Sequence, residues 1–100
     1  MNVGGDKTSP ETIEAVLMEF PGIDRAGVRS VANAFGIEEI WAAYVSHSGV
    51  NERELHVFCQ GMMLPAFVPL RFVRVPEIPV NEMGKVDRPR LAEILRPQTH

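Results

Sequence analysis

Apolar residues recur at helical spacing in three stretches of the chain and form strand-like runs in three others. Ile13, Val16, Leu17 and Phe20 fall at i, i+3, i+4 and i+7, one stripe on one helix face. Ser9 is a good N-cap for that helix and Pro10 suits its first position. Glu11 and Glu14 complement the positive end of its dipole, and Pro21-Gly22 ends it. From Ile23 to Val31, Ala26 and Val28 alternate with Arg25, Gly27 and Arg29, which predicts a strand with one wet face. From Glu39 to Ser46, Ile40, Ala42 and Tyr44 point one way, and Trp41, Ala43 and Val45 the other. Apolar residues on both faces predict a central strand covered on each side, with Trp41 between sheet and helix.

Asn51, with Glu54 three residues on, opens a second helix striped by Leu55, Phe58, Cys59, Met62 and Met63. Leu64-Pro65 stops it, and a third strand is expected from Leu70 to Val75. Asp87 caps a short last helix carrying Leu91, Ile94 and Leu95, which ends at Pro97 before a frayed Gln98-Thr99-His100. At the other end Gly4-Gly5-Asp6 is a turn signal between Asn2-Val3 and Lys7-Thr8, predicting a small glycine hairpin. The order is turn, helix, strand, strand, helix, strand, loop, helix. It predicts an α+β domain, with a small sheet of about three strands and helices packed on it.

Composition narrows the function classes only modestly. One hundred residues suit one domain with a modest core, and 45% hydrophobic with 23% charged residues is ordinary for a globular protein. A net charge of -3 argues against nucleic acid or an anionic membrane as partner. No apolar run is long enough to span a membrane, and Met1-Asn2-Val3-Gly4-Gly5 lacks the pattern of a signal peptide. The single cysteine, Cys59, excludes an internal disulfide and fits a reducing cytoplasm.

The candidate chemistry lies in Pro79-Val80-Asn81-Glu82-Met83-Gly84-Lys85-Val86-Asp87-Arg88. Pro76 and Pro79 rule out a central strand here, and Asn81 and Gly84 tolerate turns and positive φ. An ordered loop is predicted, with Lys85 directly after its glycine. A lysine so raised can present a compact charge with three donors to an anion. Read alone, a surface lysine on a connecting loop is the simpler account. His56 and Cys59 share a helix face, but Cys59 lies in the apolar stripe and reads as a packed thiol. Met62-Met63 likewise reads as core. His47, His56 and His100 lack metal-ligand spacing, and Glu38 and Glu39, adjacent on a strand, face opposite ways.

Further stretches change the weight of that loop. They are Gly4-Gly5-Asp6-Lys7-Thr8-Ser9-Pro10-Glu11-Thr12-Ile13-Glu14, then Phe20-Pro21-Gly22-Ile23, then Gly36 and Glu38 with Ala43-Tyr44-Val45. Pro65 through Pro69-Leu70-Arg71-Phe72-Val73 follows, and last Pro79-x-x-x-x-Gly84-Lys85-x-x-Arg88. In that order they resemble the C-terminal domain of the adenylate-forming enzymes: acyl-CoA synthetases, adenylation domains of nonribosomal peptide synthetases, and luciferases. The resemblance runs roughly from Asn2 to Leu91. The chain departs at Ser30-Val31-Ala32-Asn33, where the family often has Val-Pro-Asp, and at Ala66-Phe67, where it often has Tyr-Lys. The family's large N-terminal domain, and the hinge residue before the first glycine loop, have no counterpart in it.

The resemblance implies a two-step ligase. A carboxylic acid attacks the α-phosphate of MgATP, giving acyl-AMP; the domain then rotates and the acyl group passes to a thiol of coenzyme A or of a carrier pantetheine. It implies that Lys85 is the catalytic cation of the first step and that Gly84 supplies the bend that aims it. Arg88 would be a phosphate or interdomain contact, or else only a helix-start arginine. Gly4 and Gly5 would line the pantetheine tunnel in the second step, with Lys7 near the phosphates of the coenzyme. ATP and Mg would be held mainly by an N-terminal adenylation domain of the same polypeptide, the principal partner, which also chooses the acid. This chain alone would be inactive, and Met1 is expected to open an excised piece of a longer protein. The rival readings are a stand-alone, non-catalytic α+β module that binds another protein, and the C-terminal part of a carrier-loading adenylation domain.

Overall fold

The structure, a computed structural model, describes residues 9–96. Helix α1 spans Pro10–Met18, strand β1 Ile23–Ala32, strand β2 Glu38–Ser46 and helix α2 Glu52–Met62. Strand β3 follows at Arg71–Arg74 and helix α3 at Arg88–Ile94, with a 3-10 turn at Pro65–Phe67. All three helix starts use the side chains that the sequence offers. Ser9 accepts from the Thr12 N–H, Asn51 from that of Glu54 and Asp87 from that of Arg90.

The sheet has the order β1-β2-β3, with β1 antiparallel and β3 parallel to β2. The parallel step needs a crossover, which α2 provides. β2 is thus central, and its alternation feeds two cores. Ala42 and Tyr44 join Ile13, Leu17, Val28, Leu55 and Cys59 under α1 and α2. Trp41 and Ala43 join Val31, Ile78, Leu91 and Leu95 under α3. The architecture is the expected α+β one, and Trp41 lies where the pattern put it, 8% exposed.

Three details depart from expectation. The face of β1 expected to be wet is covered from Gly27 onward, because α3 lies across it, while Arg25 stays exposed. A Cβ at Gly27 would stand 3.1 Å from Leu91 Cδ2 and 3.3 Å from Ile78 Cγ2. Arg29, also on that face, donates to the carbonyls of Ala92 and Leu95 at 3.0 and 2.8 Å, closing the C-terminal end of α3. Met62, read as core, is 49% exposed, because the buried face of α2 is carried by Leu55 and Cys59. Glu14, read as an ornament of the helix dipole, is buried. The glycine hairpin expected around Gly4-Gly5, and the frayed end at Gln98-Thr99-His100, lie outside the described residues.

Candidate functional site

The lysine loop is a small hairpin. Val80 and Val86 form an antiparallel bridge, and inside it the Asn81 N–H donates to the Lys85 carbonyl at 2.8 Å. The Gly84 N–H returns to the Asn81 carbonyl at 2.9 Å. The Asn81 side chain occupies the middle: its Oδ1 accepts from the N–H groups of Met83 at 2.8 Å and Lys85 at 3.1 Å. Gly84 has φ 80, the left-handed bend that favours glycine. Asn81, which tolerates positive φ, does not use it here and serves as an acceptor. The Asp87 N–H then donates to the Pro79 carbonyl at 2.9 Å, and Asp87 caps α3. Backbone and cap hydrogen bonds thus hold the segment from Pro79 to the start of α3.

On this support the Lys85 side chain stands exposed. Among the described residues its ammonium makes no ion pair. It borders a shallow cleft floored by Ala26, Ile78 and Val86 and edged by Glu11 and Arg25. A hydrogen bond from its own backbone holds the Glu11 carboxyl below the usual range; burial works against this, and the charges of Arg88 and Lys85 add to it.

Arg88, the first residue of α3, reaches Glu14 on α1, 74 residues away in sequence. One guanidinium nitrogen meets Glu14 Oε2; the other lies 3.3 Å from Oε1, a forked contact. That first nitrogen also donates to the Val28 carbonyl at 3.0 Å, while Glu14 Oε2 accepts the Val28 N–H at 2.9 Å. Both backbone groups of one residue on the edge strand β1 are therefore taken by an ion pair. Glu11 adds a more exposed contact to Arg88 at 3.5 Å. Burial works against the charge on Arg88, and the carboxylates of Glu14 and Glu11 together more than offset it, so its pKa is raised.

The structure thus brings Lys85, Gly84 and Arg88 together on one segment. Gly4, Gly5 and Lys7 lie outside the described residues. The residue that pattern reading missed is Glu14. The available signal was its place three residues before Leu17, which puts a carboxylate on the buried face of α1. Cys59 is an inert core thiol, fully buried and pushed up to about 11 by that burial. His56 instead stands edge-on to Phe72. Among the described residues no cluster of His, Cys, Asp or Glu could hold a metal.

No family model matches the chain. It is 34% identical over 94% of its length to the N-(5-amino-5-carboxypentanoyl)-L-cysteinyl-D-valine synthase of Amycolatopsis lactamdurans, of which it covers 3%. It is 34% identical over 88% of its length to the 2-succinylbenzoate–CoA ligase of Bacillus licheniformis, of which it covers 18%. The solved o-succinylbenzoate CoA synthetase of Bacillus subtilis superposes on 90% of the chain with a TM-score of 0.80 and 27% identity, 19% of that protein being matched. The chain therefore spans less than a fifth of the length of each. With the order of motifs, the mixed three-stranded sheet and the lysine hairpin, these likenesses match the chain to the C-terminal domain of the adenylate-forming superfamily.

Proposed function

We propose that residues 1–100 form the mobile C-terminal domain of an ATP-dependent acyl- or aryl-CoA synthetase. The observation that carries this reading is the Lys85 ammonium, exposed and without an ion-pair partner among the described residues, on a hairpin held by hydrogen bonds centred on Asn81. To a nucleotide, these residues offer one cation on a fixed stalk. The rest of its binding falls to a large adenylation domain of the same polypeptide, the proposed partner.

MgATP supplies the electrophilic α-phosphorus and the pyrophosphate leaving group. Lys85 sits between the acid's carboxylate and that phosphate and balances their charge as the bond forms. A charge already in place needs no reorganisation at that moment, and a water-excluding partner surface would strengthen it. Gly84 sets the bend from which Lys85 projects, and Arg88 anchors the hairpin through Glu14. Gly4 and Gly5, without side chains, let the backbone approach the pantetheine arm of coenzyme A in the second step, where Lys7 meets its phosphates. The buried single thiol, Cys59, suits a cytoplasmic location.

The test is Lys85→Ala in the polypeptide that joins this chain to its adenylation domain. Acid-dependent adenylation falls about 100- to 1000-fold, the usual loss for one such donor. Thioester formation from supplied acyl-AMP persists. An equal loss of both steps would contradict the assignment, as would acyl-AMP synthesis by this chain alone.

A further inference from the structure

Glu14 stands outside the lysine motif, yet it is the one buried carboxylate among the described residues, 4% exposed. It is tied by Arg88 to the segment that carries Lys85. We propose that Glu14 is a positioning residue for Lys85: its ion pair with Arg88, clamped onto the edge of β1, sets where the lysine hairpin stands. This rests on the reading of Lys85 given above.

The linkage can be followed bond by bond. Glu14 is fixed by the Val28 N–H, a rigid point within the β1 ladder. Arg88 is fixed by Glu14 and by the Val28 carbonyl. Arg88 opens α3 directly after Asp87, whose N–H is held by Pro79 across the base of the hairpin. Val86, between Asp87 and Lys85, bridges to Val80. From Lys85 to Arg88 is three residues, each with a fixed backbone or side-chain partner. Packing anchors α3 chiefly through Leu91 and Leu95, further along the chain. Within the segment from Pro79 to Arg88, Arg88 is the ionic tie to α1 among the described residues, through its fork to Glu14 and a more exposed contact with Glu11.

The geometry also separates positioning from bulk stability. Glutamine at position 14 keeps the volume and an oxygen that can accept the Val28 N–H, but it loses the charge-assisted fork. The sheet edge stays satisfied while the hold on Arg88 weakens. A small displacement of a catalytic group carries a rate penalty out of proportion to its effect on folding.

The experiment compares Glu14→Gln, Arg88→Lys and Lys85→Ala in the polypeptide that joins this chain to its adenylation domain. Each half-reaction is followed separately, and hydrogen exchange at Met83, Gly84 and Lys85 is read in parallel. Glu14→Gln is expected to lower the adenylation kcat about 10- to 100-fold. KM for ATP and acid, and thioester formation from supplied acyl-AMP, stay within about twofold, since most of the ground-state binding falls to the adenylation domain, Lys85 keeps its charge, and the second step does not use the hairpin. Exchange at the three hairpin amides speeds up. Arg88→Lys, which keeps the charge but not the fork, gives the same split and serves if Glu14→Gln folds poorly.

A loss shared by both half-reactions, or a rise in KM alone, would mean a structural role and would overturn the proposal. So would unchanged adenylation in Glu14→Gln while Lys85→Ala is inactive; that result leaves the Lys85 reading standing. If Lys85→Ala retains full adenylation, the underlying reading and this inference fall together.

Discussion

Asn81 and Lys85 close on each other in the same geometry as Asn33 and Ile37 at the β1–β2 turn. In both, the asparagine N–H donates to the carbonyl four residues on, at 2.8 and 2.9 Å. In both, the asparagine Oδ1 accepts from residues two and four on, at 2.8 and 3.1 Å. In both, the residue three on from the asparagine is a glycine with positive φ, 80 at Gly84 and 78 at Gly36. The turn that carries the lysine is thus a general folding solution used twice. What is particular to it is the residue displayed.

That duplication supplies an internal control. An added Cβ would meet nothing within 4 Å at either glycine, so alanine is opposed there only by the backbone. Gly84→Ala and Gly36→Ala should each lower stability by about 1–2 kcal/mol, the left-handed penalty for an L-residue. In thermal melts of a domain this size, that is a drop of roughly 4–16 °C. Under the proposed function, only Gly84→Ala should also slow adenylation. Equal slowing by both would show that activity tracks stability and not the aim of Lys85.

Gly27 tests the packing of α3. Its Cβ would crowd Leu91 and Ile78 at 3.1 and 3.3 Å, and its φ is not positive, so the obstacle is space. Gly27→Ala should cost about 1–3 kcal/mol by overpacking. Combined with Leu91→Ala, it should cost less than the sum of the two, because the new methyl enters the space that leucine leaves. Denaturant midpoints of the four proteins measure the coupling, and strict additivity would mean that α3 sits elsewhere.

Alkaline pH should expose the two buried acids of the main core. The Tyr44 hydroxyl donates to Glu52 at 2.7 Å. Burial first, and that carboxylate second, push Tyr44 from 10.0 to about 12. Burial alone pushes Cys59 from 9.0 to about 11. Above pH 9 and up to about 12 the unfolded chain gives up these protons while the folded chain keeps them. The unfolded state then binds fewer protons, so stability is unaffected below that window and falls as pH rises through it. Tyr44→Phe should be less stable at pH 7 by about 1 kcal/mol for the lost hydrogen bond. It should also lose less on going from pH 10 to pH 12, a difference that melts across the range would measure.

The elements were legible in the sequence because their signals are local. Ser9, Asn51 and Asp87 cap by contacts to residues three further on, and the two-faced pattern of β2 needs no knowledge of what covers it. Gly27 misled because a missing side chain resembles a polar gap in an alternating pattern, whereas here it makes room for α3. The hairpin behind Lys85 was legible in outline from Gly84 and Asn81. The anchor was not: the partner of Arg88 lies 74 residues away, and no spacing rule reaches that far.

That anchor should behave asymmetrically under truncation. Glu14 is 5% exposed at its side chain and Arg88 32%, so the two ends of the pair differ in access to water. Arg88→Ala strands a carboxylate that keeps only the Val28 N–H and should cost about 3–5 kcal/mol. Glu14→Ala strands a guanidinium that can turn toward solvent and still reach the Val28 carbonyl. It leaves the Val28 N–H short of an acceptor, and should cost about 1–3 kcal/mol. The double alanine variant should be more stable than Arg88→Ala alone, since removing the stranded charge relieves the larger penalty. Denaturant midpoints with an unchanged m-value would establish this order. If Glu14→Ala proved the costlier single change, Val28 and not the charge pair would be what Glu14 chiefly serves.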